Sequence, residues 1–331
     1  MSNEYFTIDS ILGQEKAKDM LRRAVLGKRL SHAYLFRGPE GVGKKSLARA
    51  FGNYINCRHR TDDQDACGSC DSCRKLRSGS HPDQVTIEPD GVSIKIKQIR
   101  ELKHALTFPP FEADCRTIII TDVHTMRREA ANSLLKTLEE PPPGNLLILT
   151  GDEAGDILPT IISRCQVVPF TGLPHDLVAN KLTEEGTDPH AAATLAAVAD
   201  GSLGRARLLA DTELLELRKD IINGLLELEA GGPQTAEEVF RLAEQAAAES
   251  DYLPELIELL KLWSRDLVML SHNLRDQINN RDLQDLNARA AARWSPVTLL
   301  NHLDLFDKAR QELARNCNRT LVCESLFFGL L

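Results

Sequence analysis

The sequence contains no run of about 20 apolar residues, which is the length that a helix needs to cross a bilayer. Its opening residues, MSNEYFTIDS, lack the basic segment followed by an apolar segment that marks a secretory leader. Internal repeats and low-complexity tracts are also missing. The 331 residues, 42% apolar and 27% charged, favour two or three packed domains. We therefore expect a cytoplasmic protein.

Positive charge is scarce in the C-terminal third of the chain. Residues 211–331 contain 13 lysines and arginines against 21 aspartates and glutamates, so this part carries the whole net charge of −8. Contact with a nucleic-acid backbone needs clustered positive charge, and the composition argues against such contact here. Two interpretations remain open: a solvated acidic surface, or a surface that docks another protein.

Strands and helices are predicted to alternate over roughly the first 170 residues. Strands are expected over 32–36, 83–89, 116–121 and 145–150, helices over 94–106 and 128–140, and the segment 161–170 closes the unit. The run RTIIIT at 116–121 is mostly β-branched, which suits a central parallel strand buried on both faces. This alternation predicts an α/β domain with a parallel sheet.

The remainder of the chain is predicted to be helical. The segment TGLP at 171–174 breaks the pattern, short helices follow over 175–210, and longer helices begin at about 211. A loop, EAGGPQ, is expected at 229–234. One apolar stripe at helical spacing contains Leu256, Leu259, Leu260, Trp263, Leu267 and Leu270. We expect an all-α C-terminal part.

The segment RGPEGVGKKSLA, residues 37–48, has the form and context of a phosphate-binding loop. The residues that would cradle phosphate are Gly38, Gly41, Gly43 and Lys44. The next position normally supplies a hydroxyl to Mg²⁺, but here it is Lys45, and Ser46 comes one residue late. An inward Lys45 would repel a divalent ion by about 8 kcal/mol at about 4 Å. We expect Lys45 to turn to solvent and the Mg²⁺ site to be weak; ATP or ADP binding stays open.

Four of the eight cysteines cluster in the sequence, at Cys57, Cys67, Cys70 and Cys73. Disulfides are disfavoured in a reducing cytosol, so the cluster indicates a metal site. Four thiolates suit tetrahedral Zn²⁺, and a site with no open position would be structural. An iron–sulfur cluster and a redox pair of thiols are the alternatives.

Taken in order, ILGQEKAKDMLRRAV, the glycine loop, the cysteine cluster, NSLLKTLEEPP and ISRC resemble the bacterial clamp-loader subunits of the AAA+ family. The matching motifs span residues 8–210. The resemblance implies an AAA+ core over 1–170 with a zinc-binding insertion at 57–73, a helical lid over 171–210 and a helical collar over 211–331. It also implies a hetero-pentameric ring with delta and gamma or tau subunits, which opens the sliding clamp and places it on primed DNA.

The resemblance assigns roles to further residues. Arg164 lies in the arginine-finger motif Ser-Arg-Cys and would act on the nucleotide of the neighbouring subunit. Where the family's ATPases end a strand in Asp-Glu, this chain has Thr121 and Asp122, so Asp122 is either a degenerate catalytic carboxylate or a turn residue. In the lid, the nucleotide-sensing arginine of motor subunits follows Gly-Ser-x, whereas Arg205 comes one residue late. Thr150 is a candidate polar sensor.

These departures predict a clamp-loader subunit of bacterial DNA polymerase III that does not cycle ATP itself but supplies Arg164 in trans. One rival is a gamma- or tau-like motor ATPase, which would need a hydroxyl at position 45 and a complete Asp-Glu pair. Another rival is a zinc-containing AAA+ remodeller outside replication.

Overall fold

A computed structural model of the chain describes residues 7–60, 65–152, 157–228, 232 and 235–331, and the statements below concern these residues. The chain divides into a first unit, Met1–Leu173 with Ser202–Gly204, and a second unit, Pro174–Gly201 with Arg205–Leu331. The boundary at residue 173 lies close to the predicted end of the core. The further separation of a lid from a collar stays a prediction, and most of the predicted loop 229–234 lies outside the described residues.

The first unit alternates strands and helices, as the sequence pattern predicts. Its strands are β1 (Ala33–Arg37), β2 (Gln84–Ile87), β3 (Arg116–Ile120), β4 (Asn145–Gly151) and β5 (Gln166–Pro169). Its helices are α1 (Glu15–Leu26), α2 (Lys44–Asn56), α3 (Asp71–Arg77), α4 (Ile96–Ala105), α5 (Arg128–Glu139) and α6 (Pro159–Ile162). The predicted α/β class is confirmed.

All five strands pair in parallel in the order β2-β3-β4-β1-β5. Apolar side chains fill a core on each face of the sheet, which is why β3 and β4 are apolar at successive positions. Along β3, Ile118 and Ile120 join the core on one face, and Ile119 joins the core on the other. The predicted burial of this strand on both faces is confirmed.

The parallel sheet has two chemically different edges, because every strand enters from the same side. At the carboxyl edge, β1 leads into the glycine loop and β3 leads into Thr121 and Asp122. At the amino edge, α5 ends ahead of β4, and α6 with Arg164 comes ahead of β5. Each candidate residue is therefore assigned to one edge by the connection on which it lies.

A buried ion pair fixes the loop through which the chain enters β3. The carboxylate of Asp83 is fully buried and accepts hydrogen bonds from the backbone N–H groups of Phe111 (2.8 Å), Glu112 (2.8 Å) and Ala113 (2.9 Å). Arg116 donates to Asp83 (3.3 Å) and to the backbone carbonyls of Ala105, Phe108 and Pro109. Burial alone would raise the pKa of Asp83, but these hydrogen bonds outweigh it and lower the pKa.

The second unit is built from helices. They are α7 (His175–Glu184), α8 (Pro189–Val198), α9 (Leu203–Ala210, whose first two residues group with the first unit), α10 (Leu214–Glu227), α11 (Thr235–Ala248), α12 (Leu253–Ser271), α13 (Gln284–Arg293), α14 (Pro296–Ala314) and α15 (Arg319–Gly329). α12 packs along α14, and α11 packs against α15. Of the predicted stripe on α12, Leu256, Leu259, Leu260, Trp263 and Leu267 are buried. Among the described residues, no helix is both long enough and apolar enough to span a membrane.

Replacement of Asp83 by asparagine should lower the free energy of unfolding by about 3 kcal/mol, because it leaves Arg116 without its buried counter-charge. Chemical denaturation of the full chain measures this loss. Asp90→Asn is the matched control, since Asp90 is an exposed carboxylate whose ion pair with Lys95 faces solvent. Equal unfolding midpoints for the two variants would show that the buried pair contributes no stability.

Candidate functional site

The glycine loop has the geometry that a phosphate-binding loop requires. Gly43 adopts a positive φ of 99° at the N-terminal cap of α2, a conformation that favours glycine. Lys44 is buried, and its Nζ donates to the backbone carbonyls of Gly38 (2.6 Å) and Pro39 (2.5 Å). Burial lowers the pKa of Lys44, and nearby carboxylates, that of Asp152 foremost, oppose this effect. The amine of Lys44 is thus engaged by its own loop.

Lys45 is held by an acidic partner instead of pointing freely into solvent. Its Nζ lies 2.5 Å from Oε1 of Glu88, and its side chain is 39% exposed. Glu88 directly follows β2 at the carboxyl edge of the sheet, so the partner comes from another strand end. The expectation that Lys45 turns away from the metal position fits this geometry, but the ion pair itself was not predicted. Ser46 is half-buried in α2.

The residues after β3 form a hydrogen-bonded turn. Thr121 is buried, and its backbone N–H donates to the carbonyl of Ile87 (2.9 Å). Asp122 has a positive φ of 52°, which Asp tolerates better than most residues, and its carbonyl accepts the N–H of Thr125 (2.8 Å). The N–H of Asp122 donates to Oγ1 of Thr150 (3.2 Å). The backbone of Asp122 therefore forms a turn, and the candidate sensor Thr150 contacts that turn directly.

Gly204, near the start of α9, contacts the glycine loop. The segment Ser202–Gly204 groups with the first unit, and the N–H of Gly204 donates to the carbonyl of Gly41 (3.0 Å). A Cβ at position 204 would lie 3.0 Å from Cα of Gly41, so a larger residue there would push against the loop. This is the position that follows Gly-Ser-x, where the resemblance implies an arginine in motor subunits. Arg205, one residue later, pairs with Glu255.

Arg164 lies at the opposite edge of the sheet from the glycine loop. It precedes β5, in which Gln166 pairs in register with Tyr34 near the start of β1, whereas the loop follows Arg37 at the end of β1. The register from Tyr34 to the loop covers more than four residues at about 3.3 Å each, so the two edges are separated by roughly 15 Å. Arg164 cannot reach phosphate held in its own loop.

The four clustered cysteines converge in the folded chain. Their sulfur atoms all lie within 4.8 Å of one another, with 3.9 Å between those of Cys67 and Cys73. Four thiolates around one Zn²⁺ would be separated by about 3.8 Å, given Zn–S bonds of about 2.3 Å. Backbone N–H groups of Cys67, Cys70 and Cys73 donate to cluster sulfurs at 3.3–3.5 Å. The donor set therefore fits a tetrahedral metal ion such as zinc.

Local hydrogen bonds favour thiolate at part of this cluster. The backbone and side chain of Ser69, together with the N–H of Cys70, lower the pKa of Cys67 to about 5. Burial raises the pKa of Cys57. By contrast, burial raises the pKa of the isolated thiols Cys115 and Cys165 to about 11 and about 12, respectively. A protonated thiol is a poor metal ligand, so these two cysteines behave as packed side chains.

The sheet and its glycine loop define an AAA+-type core followed by an all-α region. A family model described as "DNA polymerase III, delta subunit" matches residues 13–174, and one described as "DNA polymerase III, delta subunit, C terminal" matches residues 212–330. The chain belongs to this family and is a clamp-loader subunit of DNA polymerase III.

The comparison with individual proteins gives the same picture. DNA polymerase III subunit delta′ of Bacillus subtilis is 29% identical over 320 residues, which are 96% of this chain and 96% of that protein. Subunit delta′ of Pseudomonas aeruginosa is 33% identical over 60% of this chain and 61% of that protein. Subunit tau of Bacillus subtilis is 36% identical over 61% of this chain, but this match covers only 37% of the tau subunit.

Three residues near the candidate sites were not predicted from the sequence. Glu88 binds Lys45, Glu139 binds Arg164, and Gly204 contacts the glycine loop. The contact between Glu88 and Lys45 could have been predicted, because all strands of a parallel sheet end at one edge. An acidic residue directly after β2 can therefore pair with a lysine that follows β1. No sequence signal pairs Glu139 with Arg164, since their contact depends on how two connections bend at the amino edge.

The cysteine cluster should bind one metal ion per chain. Cys70→Ser should lose that ion and lower the thermal unfolding midpoint, because the metal ties down the polar segment between α2 and α3. Elemental analysis of the purified full chain measures the metal and separates zinc from iron. Cys317→Ser is the matched control, since Cys317 is exposed and lies outside the cluster. A metal content unaffected by Cys70→Ser would refute the site.

Proposed function

We propose that this chain is a delta′-type subunit that supplies an arginine finger to a neighbour without cycling ATP itself. Its partners are the delta and gamma or tau subunits of a hetero-pentameric clamp loader in the cytoplasm. Together they act on the sliding clamp and on primed DNA, which this chain serves indirectly. Relatives named as delta′, tau and gamma/tau subunits support these partners, and the geometry of the first unit supports a finger that acts in trans.

The separation of Arg164 from the glycine loop carries this proposal. A guanidinium contributes to phosphoryl transfer only when it contacts the transferring group. About 15 Å of sheet lies between Arg164 and the loop of the same chain, which leaves nucleotide on another subunit as the phosphate within reach. Arg164 is 32% exposed at its side chain, so a neighbouring molecule can approach it.

The chain's own nucleotide site is poorly equipped for catalysis. The metal hydroxyl is replaced by Lys45 and the strand-end aspartate by Thr121, and the shorter Asp122 stands where the family's ATPases have a glutamate. The ion pair with Glu88 engages the Lys45 ammonium, so position 45 offers no ligand to a divalent ion. Binding of ATP or ADP without turnover is compatible with this arrangement, and catalytic Mg²⁺ binding is disfavoured.

We assign zinc to the cysteine cluster. Cys57, Cys67, Cys70 and Cys73 would fill all four tetrahedral positions, which leaves none for substrate. Zinc bound in this way supplies folding energy to the segment between α2 and α3 and has no catalytic task. A four-thiolate iron–sulfur cluster is the competing occupant, and a redox pair is disfavoured by the convergence of all four sulfurs.

A motor-type ATPase remains the second candidate, because tau of Bacillus subtilis matches the core at 36% identity. The absence of a hydroxyl at position 45 and of the Asp-Glu pair after β3 argues against it. The family to which the chain belongs argues against a remodeller outside replication.

Arg164→Ala should abolish most ATP turnover at the neighbouring site while leaving assembly intact. The test uses a complete loader in which the motor subunits carry an inactivating substitution of the phosphate-loop lysine everywhere except beside this chain. Fingers in well-studied NTPases contribute about 10³-fold or more, so a loss of at least tenfold is expected. Arg164→Lys should also be impaired, because lysine lacks the planar fork.

Arg100→Ala is the control for Arg164→Ala, since Arg100 is an exposed arginine on α4 of the same unit. Size-exclusion chromatography checks that every variant assembles. Turnover equal to that of the unaltered loader in the Arg164→Ala complex would rule out the finger.

Lys45→Thr should give the isolated chain a dependence on Mg²⁺ that the unaltered chain lacks. The new hydroxyl can coordinate the metal and the repelling charge is gone, so ATP affinity should rise about tenfold when Mg²⁺ is added. Titration calorimetry with and without Mg²⁺ measures this change. Lys45→Met is the control, because it removes the charge without supplying a ligand. Rapid phosphate release by the unaltered chain would instead favour the motor-type ATPase.

A further inference from the structure

Glu139 holds the guanidinium of Arg164 at the amino edge of the sheet. Nε of Arg164 donates to Oε1 of Glu139 at 2.8 Å, and Nη2 donates to the same oxygen. Glu139 is the last residue of α5, and Arg164 lies between α6 and β5. The pair is therefore formed by two separate connections that meet at this edge.

The remaining contacts of Arg164 are also made within its own chain. Nη1 donates to the backbone carbonyl of Thr160 (3.0 Å) and to Oγ of Ser163 (3.1 Å). A guanidinium has five N–H groups. Within the described part of the chain, four of them are engaged by these three residues. Only one N–H is left for an incoming phosphate.

Glu139 occupies the edge of the guanidinium that an anion would use. Arginine binds carboxylate or phosphate most strongly through two parallel N–H groups. The Nε and Nη2 groups form such an edge, and both point at one carboxylate oxygen of Glu139. The acceptors on Nη1, in contrast, are uncharged. A phosphate group that approaches in this bidentate manner must displace Glu139.

We propose that Glu139 is a positioning residue that acts as a latch on Arg164 and is displaced by the neighbour's nucleotide. This inference rests on the proposed finger role of Arg164. In the uncomplexed chain the carboxylate holds the guanidinium in place and neutralises it. A triphosphate carries more negative charge than one carboxylate, so it displaces Glu139 from Arg164. The latch therefore opens only when the neighbour's nucleotide is present.

The exposure of the pair sets the strength of the latch. The side chains of Arg164 and Glu139 are 32% and 47% exposed, so solvent screens their attraction. The carboxyl end of α5 adds a partial negative charge at the same place, which strengthens the hold on a cation. A partly screened ion pair of this kind slows the engagement of Arg164 with the neighbour's nucleotide without preventing it.

Glu139→Gln should therefore raise kcat/KM for ATP at the neighbouring site by about two- to fivefold, the range expected for a partly exposed ion pair. The assay is the complete loader with one competent site, and the increase should shrink as salt is added. Glu139→Asp keeps the charge and should stay near the unaltered rate. Glu140→Gln is the matched control, since it removes a charge one residue later and makes no hydrogen bond to Arg164 among the described residues.

A second set of measurements separates this inference from the finger role. In an Arg164→Ala loader, Glu139→Gln should change nothing, because the latch acts only through Arg164. If Arg164→Ala lowers turnover but Glu139→Gln leaves kcat/KM unchanged or reduces it, the latch is wrong and the finger stands. If Arg164→Ala has no effect, the finger role and the latch fail together. An equal increase in kcat/KM from Glu140→Gln would show that the effect comes from the net charge of this region, and it would overturn the latch.

Discussion

The parallel direction of the five strands is the constraint on which the arrangement of the sites depends. Because every strand enters at one edge and leaves at the other, residues that directly follow a strand are separated by the length of the sheet from residues that directly precede one. The glycine loop follows β1, whereas Arg164 precedes the adjacent strand β5. Two cationic groups suited to phosphate thus lie on one sheet but too far apart to bind the same phosphate.

The carboxyl edge keeps the backbone geometry of a phosphate-binding loop although the side chains at two positions of the nucleotide-site motifs are replaced. The loop retains its glycines and the positive φ at Gly43, both of which the turn into α2 requires. Lys45 stands where the motif has a metal-binding hydroxyl, and it is neutralised by Glu88, which follows the outermost strand β2. The fold therefore needs the loop as a turn between β1 and α2, whether or not the loop binds a ligand.

Periodicity and spacing predicted the parts of this protein that are locally encoded. The apolar run at 116–121 predicted a doubly buried strand, and the cysteine spacing predicted a cluster whose sulfurs do converge. Contacts that depend on tertiary placement were not predicted: Glu139 and Arg164 are 25 residues apart, and Gly204 and Gly41 are far more distant in sequence. Such pairs are fixed by the bends of connections, for which a single sequence carries no periodic signal.

The separation of the two edges also makes the proposed finger independent of the replacements at positions 45 and 121. Arg164 is positioned by Glu139, Thr160 and Ser163, all of them at the amino edge. Lys44 and Lys45 are positioned by loop carbonyls and by Glu88 at the carboxyl edge. The two sets of partners have no residue in common, so substitutions at position 45 or 121 leave the surroundings of Arg164 unchanged. The proposed role of Arg164 therefore does not depend on whether the chain's own loop binds nucleotide.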